Sequence, residues 1–391
     1  MPSSPLVAVN AKNRAYTPEE IEANKTIYKK HFDQNYSISL IKNVVDPINK
    51  RYFKCKFIGF DELPERNNPP RPLIYVSNHS GMAFPWDAMI FNALFFKNQQ
   101  FDFKNVVRTL TAPVLSQSNL MNPFQIKDFW KRNGGVDATF LNFETMMHYE
   151  ESNLMLYPEG VAGIGKGFNK RYKMQRFATS FVRMALKYKT DIIPFATVNG
   201  EYINPYVYSN PKLNSLVQKV GIPYLPIGFH TILLLVAPWL FYFGLPAQLT
   251  YVLGKRIKPY ELVDKPFDQL EEEDIKRVRD QIKSQMQSEL DQAVAKYGKK
   301  PFSYGKIIGN SLKNFLTLNY YSPPGWPILF LEHDRLYRKH NGQEFSMKIG
   351  FFSGLKFMLR NPLSIAFYIP ILGWIPLLIK GYRKNKLGKS S

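Results

Sequence analysis

Cysteine is nearly absent from this sequence: Cys55 is the only one among 391 residues. A single thiol excludes an internal disulfide framework, and a reducing compartment fits such a chain better than secretion does. Histidine is also scarce, and no histidines, cysteines or acidic residues have the spacing of zinc ligands. Glycine-rich dinucleotide motifs are missing as well. We therefore expect no metal and no bound cofactor.

Two further shortages concern the N-terminus and the acidic residues. Residues 1–13 lack a basic segment followed by an apolar one, so we expect no secretory signal and an intracellular protein. Lysine and arginine number 52 against 31 acidic residues, which gives a formal net charge of +21. Such a chain is expected to bind an anionic partner, and both nucleic acid and an anionic membrane surface qualify.

Two apolar stretches favour the membrane. Residues 224–246 and 362–379 are close to spanning length, but Pro238 interrupts the first, and Pro370 and Pro376 the second. We therefore expect broken or shallow membrane-associated segments rather than straight spanning helices. The alternative is a buried core helix and a solvated tail. Five basic residues follow the second stretch without an acidic one, as in tails that bind anionic headgroups: Lys380, Arg383, Lys384, Lys386 and Lys389.

Strand-like and helical patterns alternate through the middle of the chain. Short apolar runs predict strands at 73–76, 106–110, 154–157, 192–198 and 249–253. Helices are predicted at 17–32, 88–96, 137–149, 177–188 and 266–297. This alternation predicts an α/β fold, with a mixed sheet flanked by helices.

The composition divides the chain into three regions. Residues 1–69 form an N-terminal helical lead-in, and residues 70–300 hold the predicted α/β domain. In residues 301–391 the alternation fades and the sequence becomes aromatic, basic and interrupted by proline, which we interpret as a membrane-facing C-terminal region.

A histidine and an aspartate follow the first predicted strand. In α/β sheets chemistry gathers at the carboxyl ends of strands, where His79 lies. Asp87 falls in the opening turn of a helix that begins near Pro85, and a folded loop could return it to His79. An aspartate that holds one ring nitrogen leaves the other to act as a general base. Alternatively, His79 only ends a strand and Asp87 only complements a helix dipole. Ser80 as a nucleophile is disfavoured, because adjacent side chains rarely face one another.

A second motif region combines glycine with positive charge. Residues 160–166 match the first seven positions of a phosphate-binding loop, but Gly167 stands where serine or threonine would bind magnesium. A nucleotide hydrolase is therefore disfavoured. Residues 160–190 contain eight basic residues and no acidic one, which predicts an anion-binding or membrane-facing surface, or else a solvated helical face.

Four blocks in order resemble the phospholipid/glycerol acyltransferase superfamily, whose members include the acylglycerol-phosphate acyltransferases. The blocks are Asn78 and His79 with Asp87, then residues 134–137, 157–160 and 192–195. The resemblance covers roughly residues 70 to 290. It implies acyl transfer from acyl-CoA or acyl carrier protein to a lipid hydroxyl, with His79 as the base and Asp87 orienting its ring. It also implies substrate contacts at Gly135, Glu159, Gly160 and Pro194.

Two departures from the family pattern concern the base and the acceptor. Seven residues separate His79 from Asp87, more than the family usually has, so the loop must bulge. The arginine that the family uses for phosphate is missing after Gly135. Arg132, Lys170 or Arg171 could replace it, or the acceptor is a neutral lipid such as diacylglycerol or a long-chain alcohol.

Together with the resemblance, these observations predict a membrane-associated O-acyltransferase at the cytoplasmic face, active in lipid metabolism and phospholipid biosynthesis. Its expected acceptor is a glycerolipid hydroxyl, of the lysophospholipid or acylglycerol-phosphate type. Its expected partners are membrane lipids and acyl-CoA or acyl carrier protein, and not nucleic acid. Two alternatives remain at this point: transfer to a neutral acceptor, and a non-catalytic lipid-binding protein that keeps the fold.

Overall fold

Seven strands form one sheet at the centre of this computed structural model, in the order β1-β7-β6-β2-β5-β3-β4. Neighbouring strands are parallel except β6 and β7, which are antiparallel. The strands are β1 (Lys56–Ile58), β2 (Ile74–Ser77), β3 (Val107–Thr111), β4 (Val136–Asp137), β5 (Asn153–Leu156), β6 (Ile192–Val198) and β7 (Thr250–Leu253).

The structure describes residues 16–81, 84–117, 119–219, 222, 224–303, 305, 309 and 318–382. Residues 82 and 83 of the loop after His79 therefore lie outside the described residues. The same holds for Arg383, Lys384, Lys386 and Lys389 of the basic tail, and for the ends of the first and last predicted regions.

Helices cover both faces of the sheet and extend beyond it. Two π-helical segments, Ile41–Val45 and Asn49–Phe53, flank α4. The helices are α1 (Pro18–Asn24), α2 (Ile27–Lys30), α3 (Gln34–Leu40), α4 (Asp46–Ile48), α5 (Trp86–Asn98), α6 (Pro113–Gln117), α7 (Phe129–Arg132), α8 (Phe140–Met146), α9 (Val161–Ile164), α10 (Ser180–Tyr188), α11 (Pro211–Gln218), α12 (Phe229–Val236), α13 (Glu272–Tyr297), α14 (Leu318–Tyr321), α15 (Trp326–Lys339), α16 (Ser353–Arg360), α17 (Leu363–Ala366) and α18 (Trp374–Tyr382).

The predicted mixed α/β sheet is confirmed, and its central strands lie within about one residue of their expected positions. Strands buried on both faces have continuous apolar runs, which makes them visible in sequence. Alternate residues of β2 face two separate cores. Tyr75 packs with Phe95 of α5 on one face, whereas Ile74 and Val76 belong to the core that contains Phe181 of α10 on the other. Neither face of the central strand is therefore left to water.

The helix predicted at 17–32 begins where expected. Thr17 and Glu20 form a reciprocal capping box, and Pro18 is the first helical residue. The helix then ends at Asn24, and a second one runs from Ile27 to Lys30. The prediction of one continuous helix was wrong. The pattern of apolar residues continues across residues 25 and 26, but the backbone there forms a turn that separates the two helices.

The core joins parts of all three regions predicted from composition. The ring centroids of Trp86 and Trp326 are 4.4 Å apart, and those of Phe53 and Trp86 are 5.6 Å apart. Each fully buried aromatic side chain of this kind contributes about 1.5–3 kcal/mol to stability. The helix that carries Trp326 and the segment that carries Phe53 thus stabilise the same helix, α5, that carries Asp87.

The two apolar stretches form short, interrupted helices, as their prolines suggested. Residues 224–246 contain α12 and a 3-10 turn over Pro238–Tyr242, and residues 362–379 contain α17 and most of α18. Within the described part of the chain, we find no helix that is both long and apolar enough to cross a bilayer. That these stretches associate with a membrane stays a prediction.

Candidate active site

The parallel strands β2, β5 and β6 bring three motif regions to one edge of the sheet. Val76 of β2 pairs with Leu156 of β5, and Ser77 pairs with Phe195 of β6. Because parallel strands end at the same edge, the residues that follow β2 and β5 meet there. This places His79 beside the turn that holds Tyr157 and Glu159.

His79 and Asp87 lie within hydrogen-bond distance despite their long separation in sequence. The His79 Nδ1 atom is 2.8 Å from Asp87 Oδ2. The buried Asp87 carboxylate also accepts the backbone N–H groups of Ser80 and Ala88, at 3.0 and 2.8 Å. An ionised carboxylate only accepts hydrogen bonds, so Nδ1 carries the proton and Nε2 is left to receive one. This arrangement suits a general base.

The start of the loop that carries His79 is held by β6 and by the segment that follows it. Asn78 exchanges two hydrogen bonds with the backbone of Thr197, at 3.0 and 2.8 Å. Asn204 donates to the Gly81 carbonyl oxygen at 2.8 Å, and Gly81 has a φ of +117°, a conformation that glycine adopts without strain. The described residues before positions 82 and 83 are thus held in place by polar contacts.

Ser80 points away from His79. A Cβ atom added to Gly200 would lie 1.8 Å from Ser80 Oγ, so the serine packs directly against that glycine. Its buried hydroxyl has no hydrogen-bond partner among the described residues. The structure therefore gives Ser80 no contact with the imidazole that would activate a nucleophile.

Tyr157 covers the imidazole of His79. The two rings are stacked, with centroids 4.1 Å apart and an interplanar angle of 19°. Burial, and then the negative charge of Asp87, raise the pKa of the Tyr157 hydroxyl well above its usual value. The same causes, in the same order, raise the pKa of Tyr224, a cavity residue that the sequence did not single out. Both tyrosines therefore stay neutral beside the histidine.

Glu159 accepts hydrogen bonds that hold the same loop in place. Its Oε1 accepts the backbone N–H of His79 at 3.0 Å, and its Oε2 accepts the backbone N–H of Gln175 at 2.5 Å. The side chain is buried. The structure thus shows contacts between Glu159 and backbone on two sides, which position the histidine.

An apolar cavity of about 780 Å³ opens beside the His79 ring. Ligand pockets in proteins typically have volumes of about 300–1,000 Å³. Arg108 also lines it, but its guanidinium donates to the backbone carbonyl oxygens of Tyr28 and His31, at 3.0 and 2.9 Å. The lining comes from several elements, including Met89, Val107, Leu110, Gly135, Tyr157, Gly160, Leu234, Tyr242, Phe367, Trp374 and Leu377.

Comparison with known proteins identifies the region that holds this site. Residues 58–198 match the model of the Acyltransferase family, from the end of β1 to the end of β6. This part of the chain is an acyltransferase-family domain. The match includes His79, Asp87, Tyr157 and Glu159, and it confirms the resemblance found in the sequence.

Three curated relatives share parts of the chain. An uncharacterized protein of Mycobacterium leprae is 24% identical over 257 residues, 64% of this chain and 66% of the relative. An uncharacterized protein of Mycobacterium tuberculosis is 25% identical over 197 residues, 50% of this chain and 51% of the relative. Phytyl ester synthase 2 of Arabidopsis thaliana is 27% identical over 160 residues, 38% of this chain and 21% of the relative. The chain thus spans about half to two thirds of the first two.

The basic candidates for binding phosphate lie outside the lining of the acyltransferase cavity. The Arg132 guanidinium donates to Asp334 at 2.7 Å and stacks over the Tyr36 ring at 3.4 Å. Lys170 and Arg171 are exposed in and after a 3-10 turn, and Arg171 lies over the Phe168 ring. Arg132 is therefore already engaged within the fold.

The other predicted contact residues divide into two groups. Gly135 and Gly160 line the cavity. Pro194 lies in the middle of β6, paired with Val76, and does not line it. Lys166, the last residue of the apparent phosphate-binding loop, is buried and lies 3.1 Å from Glu201 Oε1. Its ammonium group is thus engaged in a buried ion pair.

Gly163 is a site residue that sequence reasoning missed. A Cβ atom there would lie 2.6 Å from the Glu159 Cβ and 3.1 Å from the His79 Cβ. Helix α9 can therefore approach the loop that carries His79 closely only because residue 163 has no side chain. The cluster of glycines was visible in sequence, but its resemblance to a phosphate-binding loop concealed this packing role. Among the described residues, no group of histidine, cysteine or acidic side chains could hold a metal ion.

Proposed function

We propose that this protein transfers a fatty acyl group from acyl-CoA or acyl carrier protein to the hydroxyl of a lipid, with His79 as the general base. The observation that carries the proposal is the 2.8 Å contact of His79 with Asp87 beside an apolar cavity. A hydroxyl is a weak nucleophile until a base removes its proton. The acyltransferase family match supports the same class of reaction.

The proposed reaction needs no covalent intermediate on the enzyme, because a thioester is already activated. His79 Nε2 takes the proton of the acceptor hydroxyl while the oxygen attacks the thioester carbonyl carbon. The tetrahedral intermediate collapses, the C–S bond breaks, and the imidazolium returns its proton to the leaving thiolate. Asp87 stabilises the imidazolium, since its carboxylate lies against Nδ1.

A neutral acceptor fits the cavity better than a phosphorylated one. His79 and Arg108 are its ionisable lining groups apart from tyrosines, and the Arg108 guanidinium is bonded to backbone carbonyls. A phosphate placed inside would lose its hydration, while the donors of Arg108 are already engaged by backbone carbonyl oxygens. The name of the Arabidopsis relative, a phytyl ester synthase, also describes an ester of a long-chain alcohol. We therefore favour a fatty alcohol or diacylglycerol, with association at the cytoplasmic face of a membrane.

The acceptor test uses purified protein, radiolabelled acyl-CoA or acyl carrier protein, and three acceptors. A long-chain alcohol, a diacylglycerol and an acylglycerol phosphate are supplied separately in mixed micelles. We expect ester formation with the first two and little with the third. Transfer to the acylglycerol phosphate alone would overturn the neutral acceptor and support the phospholipid reaction implied by the family resemblance.

The test of the base compares His79→Ala with His340→Ala, a matched change at an exposed histidine outside the cavity. We expect His79→Ala to abolish transfer while melting near the wild-type temperature, and His340→Ala to retain activity. Equal activity of the two variants would overturn the role of His79. If the wild type binds lipid but forms no ester with any donor, the protein is a lipid-binding member of the fold instead.

A further inference from the structure

The two apolar stretches of the sequence lie side by side in the structure and together form one wall of the cavity. The Ile371 backbone N–H donates to the Val236 carbonyl oxygen at 2.9 Å. The Trp374 indole N–H donates to the Leu234 carbonyl oxygen at 3.1 Å. We call the segments 229–236 and 362–379 the cavity wall. It lies entirely outside the region that matches the family.

The cavity wall is apolar on both of its sides. Trp374 and Leu377 of α18 line the cavity, and Leu377 is only 2% exposed. Leu372, Ile375 and Ile379 are 64%, 54% and 63% exposed. Ile375 and Ile379 lie four residues apart on one face of α18, and Leu372 lies in the turn just before this helix. The side of a helix that faces water is normally polar. This outer face is apolar, which is typical of a surface that binds a partner.

Ile371 connects the outer face with the cavity. It lines the cavity, and yet it is 67% exposed, so the cavity reaches the surface beside the apolar face. Its φ is +56°, which is unusual for a β-branched residue. A long apolar molecule that leaves the cavity at this point would therefore meet apolar side chains rather than a polar rim.

Positive charge accompanies this apolar surface. Lys380 is exposed in the last turn of α18, and the described residues 345–382 contain four basic residues and no aspartate or glutamate. Helix α16 exposes Leu355 and Leu359 on one face, at 67% and 71%, with Lys356 and Arg360 exposed beside them. Arg360 also lies 3.5 Å from Glu332. Basic residues next to exposed leucines and phenylalanines are typical of helices that lie in the interface of an anionic bilayer.

We propose that the outer face of the cavity wall docks onto an anionic lipid bilayer and that lipid passes between the bilayer and the cavity beside Ile371. The docking part of this proposal depends only on the exposed apolar and basic side chains. The passage of an acceptor rests on the proposed acyltransferase function. Because the apolar face is paired with basic residues and continues into the cavity, a lipid surface fits it better than a second copy of this equally basic chain.

The docking test measures co-sedimentation with vesicles of phosphatidylcholine mixed with phosphatidylglycerol, and with vesicles of phosphatidylcholine alone. The variant combines Leu372→Gln, Ile375→Gln and Ile379→Gln, none of which lines the cavity. Leu262→Gln, a matched change at an exposed leucine elsewhere, is the control. We expect the variant to lose about tenfold or more in partitioning to anionic vesicles, because three apolar side chains no longer leave water. The control should bind like wild type.

A paired activity assay tests the passage of lipid. The variant should lose transfer to an acceptor embedded in vesicles but keep transfer to a water-soluble short-chain alcohol. An equal loss with both acceptors would overturn the proposal, since the face would then support the site and not membrane access. Wild-type protein that does not bind anionic vesicles, or that forms a dimer through this face, would also overturn it.

The two proposals fail in different ways. His79→Ala should bind vesicles like wild type and transfer nothing. If wild-type protein binds vesicles through this face but transfers no acyl group, the docking surface stands and the proposed reaction is wrong. If the protein transfers acyl groups but the variant binds vesicles as tightly as wild type, the docking surface is wrong and the reaction stands.

Discussion

The loop that carries His79 and the cavity wall border the same space but are stabilised in opposite ways. In the loop, Asp87 and Glu159 accept hydrogen bonds from the backbone on several sides, and Asn78 pairs with the next strand. In the wall, a few hydrogen bonds join two segments whose outer side chains are apolar and exposed. Hydrogen bonds are directional and fix one orientation of the His79 ring. Apolar contacts are not directional, so an apolar side chain of the wall can exchange contact with protein for contact with lipid.

Asp87→Asn should strongly reduce acyl transfer and leave vesicle binding unchanged. Each Asp87 oxygen accepts a backbone N–H, so the asparagine NH₂ group must face a donor wherever it points. It would also favour the wrong tautomer of His79. We expect kcat for acyl transfer to fall about a thousandfold. Steady-state kinetics with a labelled acyl donor measure this change.

The control for Asp87→Asn is the cavity wall itself. Vesicle binding should remain at the wild-type level, because the hydrogen bonds of the Asp87 carboxylate go to His79, Ser80 and Ala88 and not to the cavity wall. A loss of activity below tenfold would contradict the role of Asp87 in holding His79. A parallel loss of vesicle binding would mean that the two regions are not independent.

Gly163→Ala should disturb the loop through packing rather than through charge. The new methyl group would meet the Glu159 Cβ at 2.6 Å and the His79 Cβ at 3.1 Å, so the backbone of the loop or of α9 must shift. We expect a loss of about 1–3 kcal/mol in the free energy of unfolding, together with a lower kcat. Urea denaturation and kinetics measure the two effects.

Gly350→Ala provides the matched control for that substitution. A Cβ there meets only Ser353 Oγ, at 3.9 Å, which is ordinary contact. Its stability and activity should stay near those of wild type. Gly163→Ala with unchanged kcat would show that close packing of α9 is not needed to position His79.

The central strands and the family motifs were predictable, because they depend on local composition. Strands β2, β5, β6 and β7 are apolar runs, and sequence alone located each of them. Strands β1 and β4 were missed, since three and two residues are too few to show a pattern. Their pairing is decided by partners distant in sequence.

The site was predictable in its residue types but not in its contacts. His79 and Asp87 could be named from their order, yet seven intervening residues do not reveal whether a loop folds back or extends. That outcome depends on Asn204 and Gly200, more than a hundred residues later. Likewise, hydropathy identified the stretch 362–379 but could not say which of its side chains face a cavity and which face solvent.

Acid should destabilise the contact between helix α3 near the N-terminus and helix α15 near the C-terminus. His333 of α15 is buried with its Nε2 3.0 Å from Ser39 Oγ of α3, and burial, followed by the charge of Arg132, lowers its pKa to about 3. The unfolded chain, with a histidine pKa near 6.5, takes up this proton first. Stability is therefore fully present above about pH 6.5 and falls by up to about 1.4 kcal/mol per pH unit between there and pH 3.

Urea denaturation from pH 7 to pH 4 measures this slope, with His333→Gln as the test and His340→Ala as the control. The glutamine variant should start less stable but lose less stability as the pH falls. His340→Ala leaves the buried contact between His333 and Ser39 in place and should behave like wild type. Identical slopes for wild type and His333→Gln would contradict a role for His333 in acid sensitivity.

The smallest expected effects compare two buried tyrosine hydroxyls beside the site. The Tyr251 hydroxyl donates to the Asp87 carbonyl oxygen at 2.8 Å, whereas the Tyr157 hydroxyl has no hydrogen-bond partner among the described residues. Tyr251→Phe should cost about 1 kcal/mol in the free energy of unfolding. Tyr157→Phe should leave stability unchanged or raise it by up to about 1 kcal/mol, since it removes a buried, unsatisfied hydroxyl and keeps the ring on His79. Equal destabilisation by both changes, in parallel urea titrations, would mean that the Tyr157 hydroxyl is bonded in solution and that even the apolar cover of His79 is held by directional contacts.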